Sequence, residues 1–151
     1  MGKPIEIQLS ISIDASPESI WDRLVGWESI GDWMLEADGV RVTSEQREGV
    51  GTRAVATIKI GGISTLDPIE VTGWDPPRRL EVNHNGWVKG WGEMVLEPVR
   101  SGTRLHWKEV LFPPWGALGT VGIRLFKPIM KKTFERDARA LKELLEREGN
   151  K

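Results

Sequence analysis

The chain has 151 residues, 39% hydrophobic and 28% charged, a balance that fits one globular domain with a real core. Its formal net charge of −1 offers no basic surplus for nucleic acid or an anionic membrane. The lack of cysteine excludes disulfides, thiolate catalysis and sulfur-ligated zinc.

The first predicted element is 5–13, IEIQLSISI, which alternates without a break. Ile5, Ile7, Leu9, Ile11 and Ile13 share one face and Glu6, Gln8, Ser10 and Ser12 the other, the pattern of a half-buried strand. Ser16 is placed to cap a helix that has Pro17 at its first position and Glu18 in its first turn. That helix is expected to run to about Val25, with a second near 27–33 carrying Trp27, Ile30 and Trp33. Six short strands follow at 39–46, 51–60, 63–74, 79–85, 88–97 and 103–112. Gly49 and Gly51, Gly61-Gly62, Asp75-Pro76-Pro77, Asn85-Gly86 and Ser101-Gly102 punctuate them, so an antiparallel meander is predicted. From Gly116 to about Glu148 the period turns helical: Leu118, Gly122, Leu125, Ile129, Phe134, Ala138, Leu141 and Leu145 fall three to five residues apart. Pro128 lies inside this run and is expected to kink or divide the helix. The order is β-α-α-β6-α in a single domain spanning 1–151, without repeats or linkers. The opening MGKPIEIQLS has no apolar export block, and no run reaches the ~18–20 apolar residues of a membrane span. A cytoplasmic protein without stable membrane insertion is expected.

The phrases IDASPESIWDRL, GVGTRAVATI, VTGWDPPRRLEV, LEPVRSGTRLHWKEV and GIRLFKPIMKKTFERDARALKELLE, taken in order, resemble the bacterial polyketide cyclase/dehydrase family. That family belongs to the SRPBCC superfamily of birch-pollen-allergen and START-like proteins. The likeness runs from about residue 5 to 147, and the order of the phrases carries it more than any one motif. It implies an α+β helix-grip fold: a seven-stranded antiparallel sheet curved around a long C-terminal helix, enclosing a cavity. Members of the superfamily include lipid and hormone binders, aromatase/cyclases and co-chaperone domains, so the fold does not choose among functions.

Strand parity predicts which side chains face that cavity. A Gly61-Gly62 turn pairs Ile60 with Ile63, which puts Ala54, Ala56, Ile58 and Ile60 on one face with Ile63, Thr65, Asp67, Ile69 and Val71. Pro68 cannot donate to a ladder, so a bulge is expected near Asp67-Pro68. Leu80 and Val82 carry His84 inward with them, and Leu105, Trp107, Glu109 and Leu111 form another inner face with His106 outside. Strand 88–97 is open. Met94 and Leu96 favour even positions inside, whereas a two-residue Asn85-Gly86 turn would bring in Trp87, Trp91, Glu93 and Val95. The 8 Trp either line a ligand cleft or fill core; Trp107, Trp87, Trp91 and Trp115 are the wall candidates. The FPPWGALG segment, 112–119, is expected to border the cavity, with Trp115, Leu118 and then Leu125 reaching it.

His84, Glu109 and Asp67 are the candidate catalytic residues, because a histidine oriented by a carboxylate suits proton removal next to a carbonyl. The expected binding residues are Ala54, Ala56, Ile58, Ile69, Val71, Val82, Trp107, Leu111, Trp115, Leu118 and Leu125. No nucleotide-binding glycine loop and no Ser-His-Asp pattern is visible, and the two histidines lie on opposite faces, so no cofactor and no metal are expected. Three functions compete. The first is enclosure of a small hydrophobic or amphipathic molecule, of lipid, polyketide or isoprenoid type. The second is a cofactor-independent cyclase or dehydratase using His84 with Glu109 or Asp67. The third is an interaction module that meets a protein partner through an exposed patch including Trp27, Trp33 or Trp91.

Overall fold

In the computed structural model, which describes residues 4–112 and 119–149, the alternating opening segment is strand β1 (Ile5–Ile13). The Ser16 hydroxyl accepts from Ser19 N–H at 3.1 Å, and helix α1 (Pro17–Leu24) follows with Pro17 in its first turn. A 3-10 helix (Trp27–Asp32) comes next, then strands β2 (Ala37–Val42), β3 (Arg53–Ile60), β4 (Ile63–Asp75), β5 (Arg79–Asn85), β6 (Lys89–Val99) and β7 (Gly102–Phe112), and finally helix α2 (Gly119–Gly149).

The strands form one antiparallel sheet in the order β1-β7-β6-β5-β4-β3-β2. Chain neighbours pair by hairpins, while β1 returns to pair with β7. The sheet curves around α2, the helix-grip arrangement. On α2, Met130, Phe134, Ala138, Leu141 and Leu145 are buried, and Lys142 anchors the helix to β1 by donating to the Ser12 carbonyl at 2.7 Å. Removing those apolar side chains from water is the main force holding the helix to the sheet.

Gly61 and Gly62 both have positive φ, the two-residue turn that right-handed strand twist favours, and Ile60 faces Ile63 as predicted. Four expectations need correction. Pro68 causes no bulge: it sits opposite Val55 in unbroken register, at a position that, counting from the closing pair Ile60–Ile63, makes no ladder hydrogen bond to β3. The register shift in β4 falls instead between Val71 and Gly73. Trp87 and Trp91 are not cavity walls: Trp87 is exposed and Trp91 lies outside beneath Lys108 Nζ at 5.5 Å, because Asn85 faces Lys89, the β5–β6 loop holds three residues, and the parity left open for β6 falls with even positions inward. Pro128 does not divide α2, which runs from Gly119 to Gly149; Pro128 and Arg124, whose carbonyl it leaves without a helical donor, are both exposed.

The fourth correction concerns the helix face. Leu125 and Ile129 are 64% and 51% exposed, whereas Met130 is buried and Phe126 packs against the core. The predicted stripe contains a five-residue step from Ile129 to Phe134, which turns the helix face by about 140°. Extending the buried stripe backward from Phe134 in steps of four reaches Met130 and Phe126. Leu125 therefore does not reach the cavity.

Candidate functional site

Between the sheet, α1 and the 3-10 helix lies a cavity of about 90 Å³. Its volume comes from small inward residues. Ala56 on β3 and Gly92 on β6 both stand on its wall, where larger side chains would occupy the space.

Cross-strand register assembles the polar part of the wall. Ala56 faces Asp67 across β3–β4, Ile69 faces His84 across β4–β5, Val82 faces Gly92 across β5–β6, and Gly92 faces Glu109 across β6–β7. Asp67 and His84 are thus diagonal neighbours, but His84 and Glu109 are separated by the whole of β6. Glycine closes that gap. A Cβ on Gly92 would fall 2.4 Å from Glu109 Oε1, inside its van der Waals shell. Without one, the imidazole and the carboxylate meet over the bare backbone.

His84 Nδ1 lies 2.8 Å from Asp67 Oδ2, and Nε2 lies 3.0 Å from Glu109 Oε2. The Trp107 indole N–H donates to Glu109 Oε1 at 2.9 Å, so both Glu109 oxygens are engaged. Burial alone would lower the His84 pKa, but the Glu109 charge and the hydrogen bonds to both carboxylates outweigh it and raise it to about 10. At neutral pH the ring is an imidazolium donating from both nitrogens. This corrects the sequence reading of His84 as a general base: the ring has no lone pair to offer, and a carboxylate is the acceptor the cluster holds. With 19% of its side chain exposed, His84 is reachable from the cavity.

The rest of the wall is apolar. Ile58, Ile69, Val82 and Trp107 line it, as predicted from parity, together with Ala56. Ala54, Val71 and Leu111 do not; they face inward but are packed into solid core. Trp115 and Leu118 lie outside the described residues. The reading from strands missed the opposite wall, where Leu24 comes from α1, Trp27 and Ile30 from the 3-10 helix, and Trp33 and Met34 from the residues just after it. The spacing of Trp27, Ile30 and Trp33 signals one helical face. Trp27 and Trp33 are 3% and 1% exposed, so they cannot form the surface patch expected of an interaction module. Trp33 stacks edge-on against Trp107 with ring centres 6.1 Å apart, and Phe134 of α2 covers Trp107 at 5.0 Å.

A second buried acid pair lies where the loop after the 3-10 helix meets α2. Glu36 and Asp137 are both buried, and Leu35 N–H donates to Asp137 Oδ1 at 3.2 Å. Burial, then the hydrogen bond and charge of Asp137, push the Glu36 carboxyl up to about 9; burial also raises Asp137. Glu36 is thus held protonated beside Asp137. Arg136 approaches Glu36 and Asp137 at 3.5 and 3.4 Å. On the outer face of the sheet, His106 is half-buried and bonds Ser10 and Glu97, which leaves His84 as the cavity's histidine. Among the described residues no group of three or more acidic or histidine side chains is arranged to hold a metal ion, and no helix is long and apolar enough to cross a membrane.

Fold and cavity together define a helix-grip protein of the START and pollen-allergen type. Residues 4–146 match the family model described as polyketide cyclase / dehydrase and lipid transport, and the chain belongs to that family. The protein Rv1546 of Mycobacterium tuberculosis H37Rv is 24% identical over 139 residues, covering 87% of this chain and 95% of that protein. A START superfamily protein from Mycobacterium smegmatis superposes with a TM-score of 0.78 at 18% identity, covering 97% of this chain and 99% of that one. The Zhui aromatase/cyclase from Streptomyces sp. R1128 does so with a TM-score of 0.79 at 15% identity, covering 95% and 94%. At these identities the two structures speak for the fold alone.

Proposed function

We propose that this protein binds a small hydrophobic or amphipathic molecule in its internal cavity, for carriage or sensing in the cytoplasm. The observation that carries the reading is the cavity itself: apolar on most of its wall, with polar groups gathered at one place. Its size points to a modest occupant. Drug-sized ligands take pockets of roughly 300–1,000 Å³, whereas an apolar cavity of about 150 Å³ admits benzene. At about 90 Å³ one ring or a short isoprenoid fragment enters if the wall gives slightly; a whole lipid or folded polyketide needs the wall to open. Burying a single ring, on the order of 150 Å² of apolar surface, gains roughly 4 kcal/mol, which corresponds to millimolar affinity.

Ligand-observed NMR with toluene tests this. Toluene is expected to bind at millimolar concentration, and Ala56→Leu, which fills the cavity from β3, is expected to abolish the signal while leaving the protein folded. No binding by the unaltered protein, or equal binding by the filled variant, would end the reading.

The cluster of Asp67, His84 and Glu109 favours one second reading, a cofactor-independent lyase of the cyclase or dehydratase kind. There a carboxylate would take the proton from carbon beside a carbonyl, with the imidazolium holding that carboxylate in place. Glu109→Gln and Asp67→Asn distinguish it from simple binding: an enzyme loses turnover in one of them with substrate binding retained, and a carrier has no turnover to lose.

A further inference from the structure

Resting on the proposed binding role, we infer that the cavity selects a hydrophobic cation, an apolar ligand carrying a protonated amine, over neutral and anionic ligands of the same shape. The first support is a count of charges. Two carboxylates and one imidazole are joined by two hydrogen bonds, 2.8 and 3.0 Å long, and each needs one proton. Wherever those two protons sit along the bonds, the cluster carries −1. Among the described residues no lysine or arginine lines the cavity to offset it. A buried net charge is costly unless something pairs with it.

The second support is a count of donors. Both His84 nitrogens are engaged by carboxylates. The three wall indoles are engaged too: Trp27 donates to the Arg47 carbonyl, Trp33 to the Arg23 carbonyl and Trp107 to Glu109. Among the described residues of the wall, no side-chain N–H or O–H is left for a ligand. A ketone, ester or carboxylate entering here finds no side-chain donor and loses its water. An ammonium group finds the reverse: carboxylates for its charge, in a wall that also holds three tryptophans, the best cation–π partners among side chains. Asp67 Oδ1 is buried without a hydrogen-bond partner, so nothing in the protein offsets that part of the cluster's charge.

The test compares three probes with one ring and charges of +1, 0 and −1: benzylamine, toluene and benzoate. Titration of the intact protein near pH 7.5, by ligand-observed NMR or calorimetry, is expected to give benzylamine a Kd at least tenfold below that of toluene, with benzoate undetected. Asp67→Asn is expected to bring benzylamine to within about threefold of toluene, leaving toluene itself unchanged; Glu109→Gln gives the same result independently should the first variant fold poorly. Equal affinity for benzylamine and toluene in the unaltered protein, or tighter binding of benzoate, overturns the cation preference while the cavity reading survives. Failure of all three probes to bind overturns both. A benzylamine preference that persists in the cavity-filled Ala56→Leu variant assigns the binding to surface acids and also overturns the inference.

Discussion

Two buried acid clusters in this molecule settle their charge in different ways. At the junction with α2, Glu36 and Asp137 share a proton and have Arg136 beside them, so that site is internally balanced. On the cavity wall, Asp67 and Glu109 share one imidazolium and keep an unmatched negative charge. The first arrangement ties a loop to a helix through Leu35 N–H and needs nothing further. The second leaves a demand that a ligand can meet. Burial alone does not mark a functional acid; the informative feature is whether its surroundings have already satisfied it.

The largest break in this comparison is His84→Ala. It leaves two partly or fully buried carboxylates without a counter-ion and is expected to cost about 3–5 kcal/mol at pH 7 in urea unfolding. The loss shrinks near pH 4, where the carboxylates take up protons; an equal loss at both pH values would contradict the charge account. Gly92→Ala comes next, at about 1–3 kcal/mol, because its methyl group enters the space of Glu109 Oε1. It should also separate His84 from Glu109, seen as a fall in the His84 pKa in an NMR titration.

The pH dependence of stability sharpens the contrast further. Glu36 and His84 both have folded-state pKa values above their ordinary ones, at about 9 and about 10. The folded protein therefore holds more protons than the unfolded chain between those limits, and stability falls as pH rises. The Glu36 contribution is complete below about pH 4.5 and is lost as pH passes about 9; that of His84 is complete below about 6.5 and is lost through about 10. Glu36→Gln, which cannot ionise, is expected to flatten the first part of this slope and to stabilise the protein at pH 8. A slope unchanged by that substitution would place the missing proton elsewhere. The smallest effect is predicted for Leu125→Gln, within about 0.5 kcal/mol, since that side chain faces out.

Much of the cavity's chemistry was readable from local pattern. Leu80 and Val82 carry His84 inward, and Leu105 and Trp107 carry Glu109, because one-residue alternation leaves no choice once a single face is buried. The Gly61-Gly62 turn fixes Asp67 opposite Ala56 in the same way. What escaped the sequence depended on distance or on counting. The β5–β6 loop length decides the parity of β6, and Asn85-Gly86 reads equally well as a two-residue turn. Gly92 marks its strand only by lacking a side chain, and its purpose is visible only when Glu109 arrives from β7. Glu36 and Asp137 lie far apart in the chain, and neither neighbourhood hints at the other. The rotation that turns Leu125 outward hides in a single five-residue step.

The most direct test of the central claim is the protonation of one ring. Nitrogen-detected NMR of His84 at pH 8 should find N–H on both Nδ1 and Nε2, with the imidazolium persisting until the pH nears 10. A ring that carries one proton at pH 8 and titrates near 6.5, the ordinary histidine value, would contradict the account of a doubly hydrogen-bonded imidazolium.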